Sequence, residues 1–253
     1  QDEHVPHVLH NLGYCNRVVH IPSGPEYPLP KAELAKYIPR FAQGIEAFAA
    51  EKEIRYDLIH SHYWMSGIGA IELKKRWHVP ILQMFHTLAL LKNKIARTPE
   101  EYEGQYRIDG ESEVIANADG IIAATVAEEK QLAELYHADT SKIEVIPPGV
   151  DTSRFYPIPQ DEALDALNLP RDKNMILFVG RIEPLKGLDT LIRALAYLRY
   201  EKDLRCCPHY LVIIGGDPSA TEANINAELA RNIHLCEDLH LDDMVLFLGK
   251  RNQ

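Results

Sequence analysis

The chain reads as an α/β protein with two parallel-sheet domains, and three observations predict this. Short apolar runs rich in β-branched residues alternate with helical patterns almost throughout, as in βαβ units whose strands are covered on both faces. A proline-rich stretch at 147–159, PPGVDTSRFYPIP, interrupts the alternation. Proline fixes φ and lacks an N–H, so this stretch can continue neither a central strand nor a helix interior. About five strands precede it and about three follow, which gives domains over 1–148 and 149–253.

In chain order, strands are expected at 17–21, 57–60, 81–85, 120–124 and 142–146, then at 175–179, 210–214 and 245–248. Stretches such as ILQMF, MILFV and YLVII are too short for helices and apolar throughout, as strands buried on both faces are. Between them, the spacing predicts helices at 34–53, 66–76, 101–117, 127–136, 185–199 and 220–238. No repeat or low-complexity tract is present.

Composition narrows the function classes. The 253 residues are 46% hydrophobic and 25% charged, those of a globular protein able to bury a sizeable core. The formal net charge of -10 argues against nucleic acid as a partner. A small anionic ligand needs only a local cluster of cations. Of the four cysteines, Cys15, Cys206, Cys207 and Cys236, none forms a C-x-x-C pair, and the adjacent pair is a poor disulfide, so reduced thiols in a cytosol are expected. No apolar run approaches the roughly 18 residues needed to span a bilayer. The opening QDEHVPHVLH is polar, without the regions of a secretory signal, and lacks an initiator Met. The chain is therefore expected to begin inside a longer polypeptide. It ends in FLGKRNQ, directly after a strand and before any covering helix, so truncation is expected there too.

The segment FVGRIEPLKGLDTLIRAL (178–195) carries the strongest chemical signal. A strand runs into Gly180, and a short turn bearing Arg181 and Lys186 opens an amphipathic helix. A strand end, a helix start with free N–H groups and two cations suit a diphosphate. The alternative is a pair of solvated surface cations. Gly215, Gly216 and Asp217 follow the strand 210–214, where glycine would let a ligand approach the backbone. No G-x-G-x-x-G, G-x-S-x-G, Walker loop or H-E-x-x-H occurs.

Two further clusters follow strands. His60, Ser61, His62, Tyr63 and Trp64 close the strand 57–60, and His86 and Thr87 close 81–85, at the sheet edge where α/β proteins bind ligands. His60 and His62 could share a face, but no Cys or carboxylate is spaced to complete a metal site, and no metal is expected. His60 reads equally well as an interior histidine. Arg107 and Glu111, four apart, are either a simple helix pair or an arginine aimed at an anion and oriented by its glutamate.

Together these stretches, DLIHSHYWMSG (57–67), HTLALLKN (86–93), RIDGE (107–111), NADGIIAAT (117–125), VIPPGVDTSRFYP (145–157), FVGRIEPLKGLDTLIRAL and VIIGGDP (212–218), resemble the retaining glycosyltransferases of family 4, and most nearly the D-inositol-3-phosphate glycosyltransferases. Sucrose-phosphate synthases are a looser likeness. The resemblance implies the GT-B fold, with two Rossmann-like domains: an acceptor side in the first and a nucleotide-sugar side in the second. It implies hexosyl transfer, with retention, from a UDP-linked sugar to a small phosphorylated polyol or sugar, in the cytoplasm or at the inner membrane face, with no cofactor or metal. By position, Arg181 and Lys186 match the diphosphate grip, with Gly180 and Gly216 on the donor side. His86 matches a histidine beside the donor sugar. Lys31, Tyr63, Thr87 and Arg107 match acceptor-phosphate positions. Family members also carry a Gly-rich loop that would precede Gln1 and a Glu-x7-Glu segment that would follow Gln253. Both domains are thus expected to be partial, and these 253 residues alone to show little or no turnover. The alternatives are a non-catalytic module that binds nucleotide or sugar phosphate, and a family member with a glycan or lipid acceptor.

Overall fold

The structure, a computed structural model, describes residues 8–9, 16–201, 208–218 and 226–251, and divides into two units between Gly149 and Val150. In the first unit, β1 (Val8–Leu9) and β2 (Val18–Val19) form a short antiparallel ribbon. There follow α1 (Lys31–Leu34), α2 (Ile38–Glu51), β3 (Ile59–His62), α3 (Trp64–Trp77), β4 (Ile81–Met84), α4 (Ala89–Ile95), α5 (Gln105–Asn117), β5 (Gly120–Ala123), α6 (Val126–Tyr136) and β6 (Ile143–Val145). Strands β3, β4, β5 and β6 pair in that order, all parallel. Ser61 lies opposite Gln83 in the β3–β4 register and donates to its Oε1 at 2.6 Å, which pins the two strands that end at the site. Phe85, Leu88, Val114, Ile121 and Leu132 are buried around this sheet.

The second unit runs through α7 (Gln160–Ala166), β7 (Asn174–Val179), α8 (Leu188–Tyr200), β8 (His209–Ile214), α9 (Ala227–Asp238) and β9 (Val245–Gly249), with parallel order β7-β8-β9. The run YLVII explains the arrangement. Leu211 and Ile213 pack with Ile192, Leu195 and Leu229, while Tyr210 and Val212 pack with Leu164 and Leu169 on the other face. A strand buried on both faces must be the central one.

Several elements differ from expectation. The strand expected at 57–60 lies two residues later, because the chain passes directly from β3 into α3 through Tyr63, whose φ is +70°. His60 and His62 are therefore part of the strand rather than beyond it. The helix expected at 34–53 is broken by a tight 3-10 turn, Ala35–Tyr37. The helix expected at 101–117 starts at Gln105, because Gly104 is extended. That expected at 185–199 starts at Leu188, after a 3-10 turn, Pro184–Lys186, and a left-handed Gly187. Asn226 caps α9 by accepting from the Glu228 and Leu229 N–H groups, while 220–225 lies outside the described residues. The short helices α4 and α7 had no sequence expectation. Cys15, Cys206 and Cys207 lie outside the described residues; Cys236 is a buried free thiol whose pKa burial pushes up to about 11. Among the described residues no helix is long and apolar enough to cross a membrane.

Candidate functional site

Tyr63 and His86 stand one residue beyond the ends of β3 and two beyond β4, and both have left-handed backbones, with φ of +70° and +63°. Such conformations cost non-glycine residues about 1–2 kcal/mol each. The Tyr63 N–H donates to the Met84 carbonyl at 2.8 Å, which holds the first turn against the neighbouring strand. Three imidazoles cluster beside it: His60 is tilted against His62 at 4.3 Å between centroids, and His62 stacks on His86 at 5.0 Å. His62 Nδ1 and His86 Nε2 are hydrogen-bonded at 2.8 Å, so one ring is the donor and the other the acceptor. Burial, with His60 and His86 nearby, lowers the pKa of His62 and favours its neutral form. His60 is exposed, so its reading as an interior histidine is corrected.

Next to this edge lies Arg107, a guanidinium only 1% exposed. Its Nε donates to Glu111 Oε1 at 2.7 Å, its Nη2 donates to the Thr87 carbonyl and hydroxyl at 3.0 Å each, and its Nη1 sits 2.6 Å from Glu103 Oε1. The Tyr63 ring lies under it, 5.2 Å from the centroid. The helix pair read from the Arg107–Glu111 spacing is made and is buried, and the remaining guanidinium nitrogens face Thr87 and Glu103. Glu111 also accepts from the Ala89 N–H at 2.9 Å and from the Tyr136 hydroxyl. Burial and the Glu111 carboxylate raise the Tyr136 phenol, which remains a donor. Burial works against the charge on Arg107, and Glu111 outweighs it, raising its pKa further.

Lys31 joins from α1. Its ammonium lies 5.8 Å from the Tyr63 ring centroid and donates to Glu103 Oε1 at 2.8 Å and Oε2 at 3.1 Å. Lys92, from α4, donates to the same Oε1 at 2.5 Å. Three cations therefore meet on one carboxylate oxygen. Burial acts to raise the Glu103 pKa, but the Lys31 and Lys92 hydrogen bonds and the charge of Arg107 bring it down to about 2, so the group is ionised throughout the physiological range. The Tyr63 hydroxyl is buried here without a well-formed hydrogen bond among the described residues, although it lies close to the Lys31 ammonium, whose pKa burial acts to lower and Glu103 and this hydroxyl raise.

In the second unit, β7 is followed by Gly180, whose N–H donates to the Ile214 carbonyl at 3.0 Å. Arg181 is 74% exposed and pairs with Glu183 at 2.8 Å. Lys186 is exposed at the end of the 3-10 turn. Both cations stand on the stretch between β7 and α8. The glycines after β8 also have a packing account beside the one read in the sequence. A Cβ on Gly215, where φ is +146°, would lie 1.9 Å from the Gly180 carbonyl oxygen, and one on Gly216, where φ is +66°, would lie 2.9 Å from Leu229. Their bareness is required by packing within the unit, whatever approaches from outside. Gly215→Ala is expected to destabilise the protein by about 3 kcal/mol or more, read as a lowered urea midpoint in far-UV circular dichroism; an unchanged midpoint would contradict this packing.

The structure thus brings together Lys31, Tyr63, Thr87 and Arg107, with His86 adjacent in the chain to Thr87. Gly180 and Gly216 belong to neighbouring strand ends, and Arg181 and Lys186 share a turn. Sequence reasoning missed Lys92, Glu103 and Tyr136. Glu103, Arg107 and Glu111 are spaced four and four, a signal that could have found the first of these. Lys92 sits on a short helix that was not foreseen, and Tyr136 reaches the cluster from the far end of α6.

Over residues 3–154 the chain matches the family described as Glycosyltransferase Family 4, and over 159–253 that described as Glycosyl transferases group 1. It is 40% identical over 238 residues to the D-inositol 3-phosphate glycosyltransferase of Thermomonospora curvata, covering 91% of this chain and 54% of that protein. The enzyme of the same name from Actinosynnema mirum is 40% identical over 233 residues, covering 92% and 55%. Sucrose-phosphate synthase from Thermosynechococcus elongatus superposes with a TM-score of 0.79 at 28% identity, over 99% of this chain and 59% of that one. The chain spans about half the length of the curated relatives it matches. Its fold class is α/β with parallel-strand sheets, as in the GT-B glycosyltransferases. The first of these family matches alone covers more than half of the residues, and the chain belongs to glycosyltransferase family 4.

Proposed function

We propose that the whole protein is a retaining glycosyltransferase that moves a hexosyl group from a nucleotide sugar, UDP-linked, to a small phosphorylated polyol or sugar. The observation that carries this reading is the cation cluster next to the β3 and β4 ends: Lys31, Lys92 and Arg107 converge there, with the Thr87 hydroxyl and the buried Tyr63 hydroxyl beside them. Cations and hydroxyls in that combination suit a phosphate monoester, and the relatives' name, D-inositol 3-phosphate glycosyltransferase, describes such an acceptor.

The donor is assigned to the second unit. Arg181 and Lys186 neutralise the diphosphate as it leaves, and Gly180 and the backbone of Gly216 border it. Stabilising charge that develops on the leaving group lowers the barrier itself rather than only tightening binding. His86 stands beside the transferred sugar. The departing phosphate takes the proton of the attacking hydroxyl on the same face, so the stereochemistry is retained without an enzyme carboxylate as nucleophile. Two side-chain cations make a metal unnecessary for the diphosphate. The site of action is the cytoplasm or the inner membrane face.

The test is a screen of donors and acceptors on the full-length protein, followed by NMR of the anomeric proton of the product. Transfer from a UDP-sugar to a phosphorylated polyol or sugar with the donor's anomeric configuration is expected. An inverted product, or transfer only to unphosphorylated acceptors, overturns the corresponding part of the reading.

A further inference from the structure

Glu103 has no role in the chemistry above, yet it occupies the centre of the cation cluster. We propose that its carboxylate is an internal stand-in for the acceptor's phosphate: it holds the cradle closed until a phosphate monoester replaces it, and so sets how strongly the first unit selects phosphorylated acceptors. The inference rests on the phosphorylated-acceptor reading and deepens it.

Four observations carry it. First, Lys31, Lys92 and Arg107 all point at Glu103 Oε1, at 2.8, 2.5 and 2.6 Å, while among the described residues Oε2 receives only a second, longer contact from Lys31 at 3.1 Å. Three donors crowded on one oxygen is a poor fit for a carboxylate. A phosphate monoester has three terminal oxygens and could give one to each cation. Second, the charges balance better with phosphate. With Glu103 in place, three cations face the two carboxylates of Glu103 and Glu111, and one positive charge is left over. With Glu103 swung out, a phosphate dianion and Glu111 neutralise all three.

Third, the buried Tyr63 hydroxyl has no well-formed hydrogen bond among the described residues and only the nearby Lys31 ammonium to interact with, while Lys31 and Arg107 lie 5.8 and 5.2 Å from its ring centroid. A buried hydroxyl left in this state is costly, and a phosphate oxygen would accept from it. Fourth, Glu103 is mounted to move without disturbing the fold. Its backbone is pinned on both sides by the Asn93 side chain, which accepts from the Glu103 N–H at 2.7 Å and donates to its carbonyl at 3.1 Å. It lies outside α5, ahead of the extended Gly104. Rotation of the side chain about this held backbone is the movement the proposal requires.

The stand-in also explains how the cation cluster is held before an acceptor binds. Glu111 balances one of the three cations, and without a second anion beside the buried arginine the cluster would be destabilising. Glu103 supplies that anion until the acceptor arrives, at the expense of competing with it.

The experiment compares full-length wild type with Glu103→Gln, which keeps the shape and removes the charge, and with Glu103→Asp, which keeps the charge and shortens the reach. Calorimetric titration with inorganic phosphate and with D-inositol 3-phosphate gives the dissociation constants, and thermal melts establish that each variant is folded. Phosphate and inositol phosphate are expected to bind Glu103→Gln about tenfold more tightly than wild type, the scale of one charge-assisted hydrogen bond. Glu103→Asp should fall between, and it decides the matter if the Gln variant does not fold. A merely structural Glu103 would give unchanged or weaker binding, and that result overturns the proposal while wild-type binding leaves the phosphorylated-acceptor reading intact. If neither wild type nor variants bind either ligand, the phosphorylated-acceptor reading itself fails, and this inference with it.

Discussion

Exchanging Arg181 and Lys186 together for alanine is expected to weaken UDP binding by the full-length protein about 100-fold or more, with almost no change in its stability. The two halves of that expectation have different grounds. Hydrogen bonds to charged groups contribute about 1.5–3 kcal/mol each, and each 1.4 kcal/mol is tenfold in affinity. Stability is spared because Arg181 is 74% exposed and paired only with the neighbouring Glu183, and Lys186 is exposed. Exposed substitutions of this kind usually stay within about 0.5 kcal/mol. Calorimetric titration with UDP, set beside a thermal melt, checks both halves. If UDP affinity does not change, the donor diphosphate is bound elsewhere.

The opposite pattern is expected at Glu111. Glu111→Ala should lower the stability of the first unit by about 3–5 kcal/mol, since it leaves a buried arginine without one of its two carboxylates. The Ala89 N–H and the Tyr136 hydroxyl lose their acceptor in the same step. Glu111→Gln should cost less, since an amide oxygen can still accept from Ala89 while the charge is gone. Both tryptophans of the chain, Trp64 and Trp77, lie in the first unit, so denaturant unfolding followed by tryptophan fluorescence reads this unit selectively. A loss below about 1 kcal/mol would mean that Glu103 alone suffices to hold Arg107.

Which parts of this were legible in the sequence follows from how local their causes are. The alternation of elements was legible because a strand such as YLVII is defined by its own composition, and the cluster of Lys31, Tyr63, Thr87 and Arg107 because family resemblance located each position. Boundaries failed where one backbone angle decided them. Tyr63 at φ +70° moves the start of α3 to Trp64, and Gly187 at φ +65° delays α8 to Leu188. Nothing in the composition of a tyrosine announces that it will take a left-handed backbone. The packing reason for the glycines after β8 was not legible: the nearest atom to a Gly215 side chain would be the Gly180 carbonyl, 35 positions away in sequence and only visible once the strands are paired. Lys92 was illegible for a similar reason. Its helix is one of seven residues, too short for periodicity to reveal.

The left-handed pair at the ends of β3 and β4 has a wider meaning. Glycine at positions 63 and 86 would relieve the backbone at once, so a chain shaped only for durability would carry glycine there. This chain instead tolerates two awkward torsions side by side and keeps a phenol and an imidazole as the return. The rim of the first sheet is a place where robustness has been traded for aim, and attempts to harden the protein against heat should begin anywhere else.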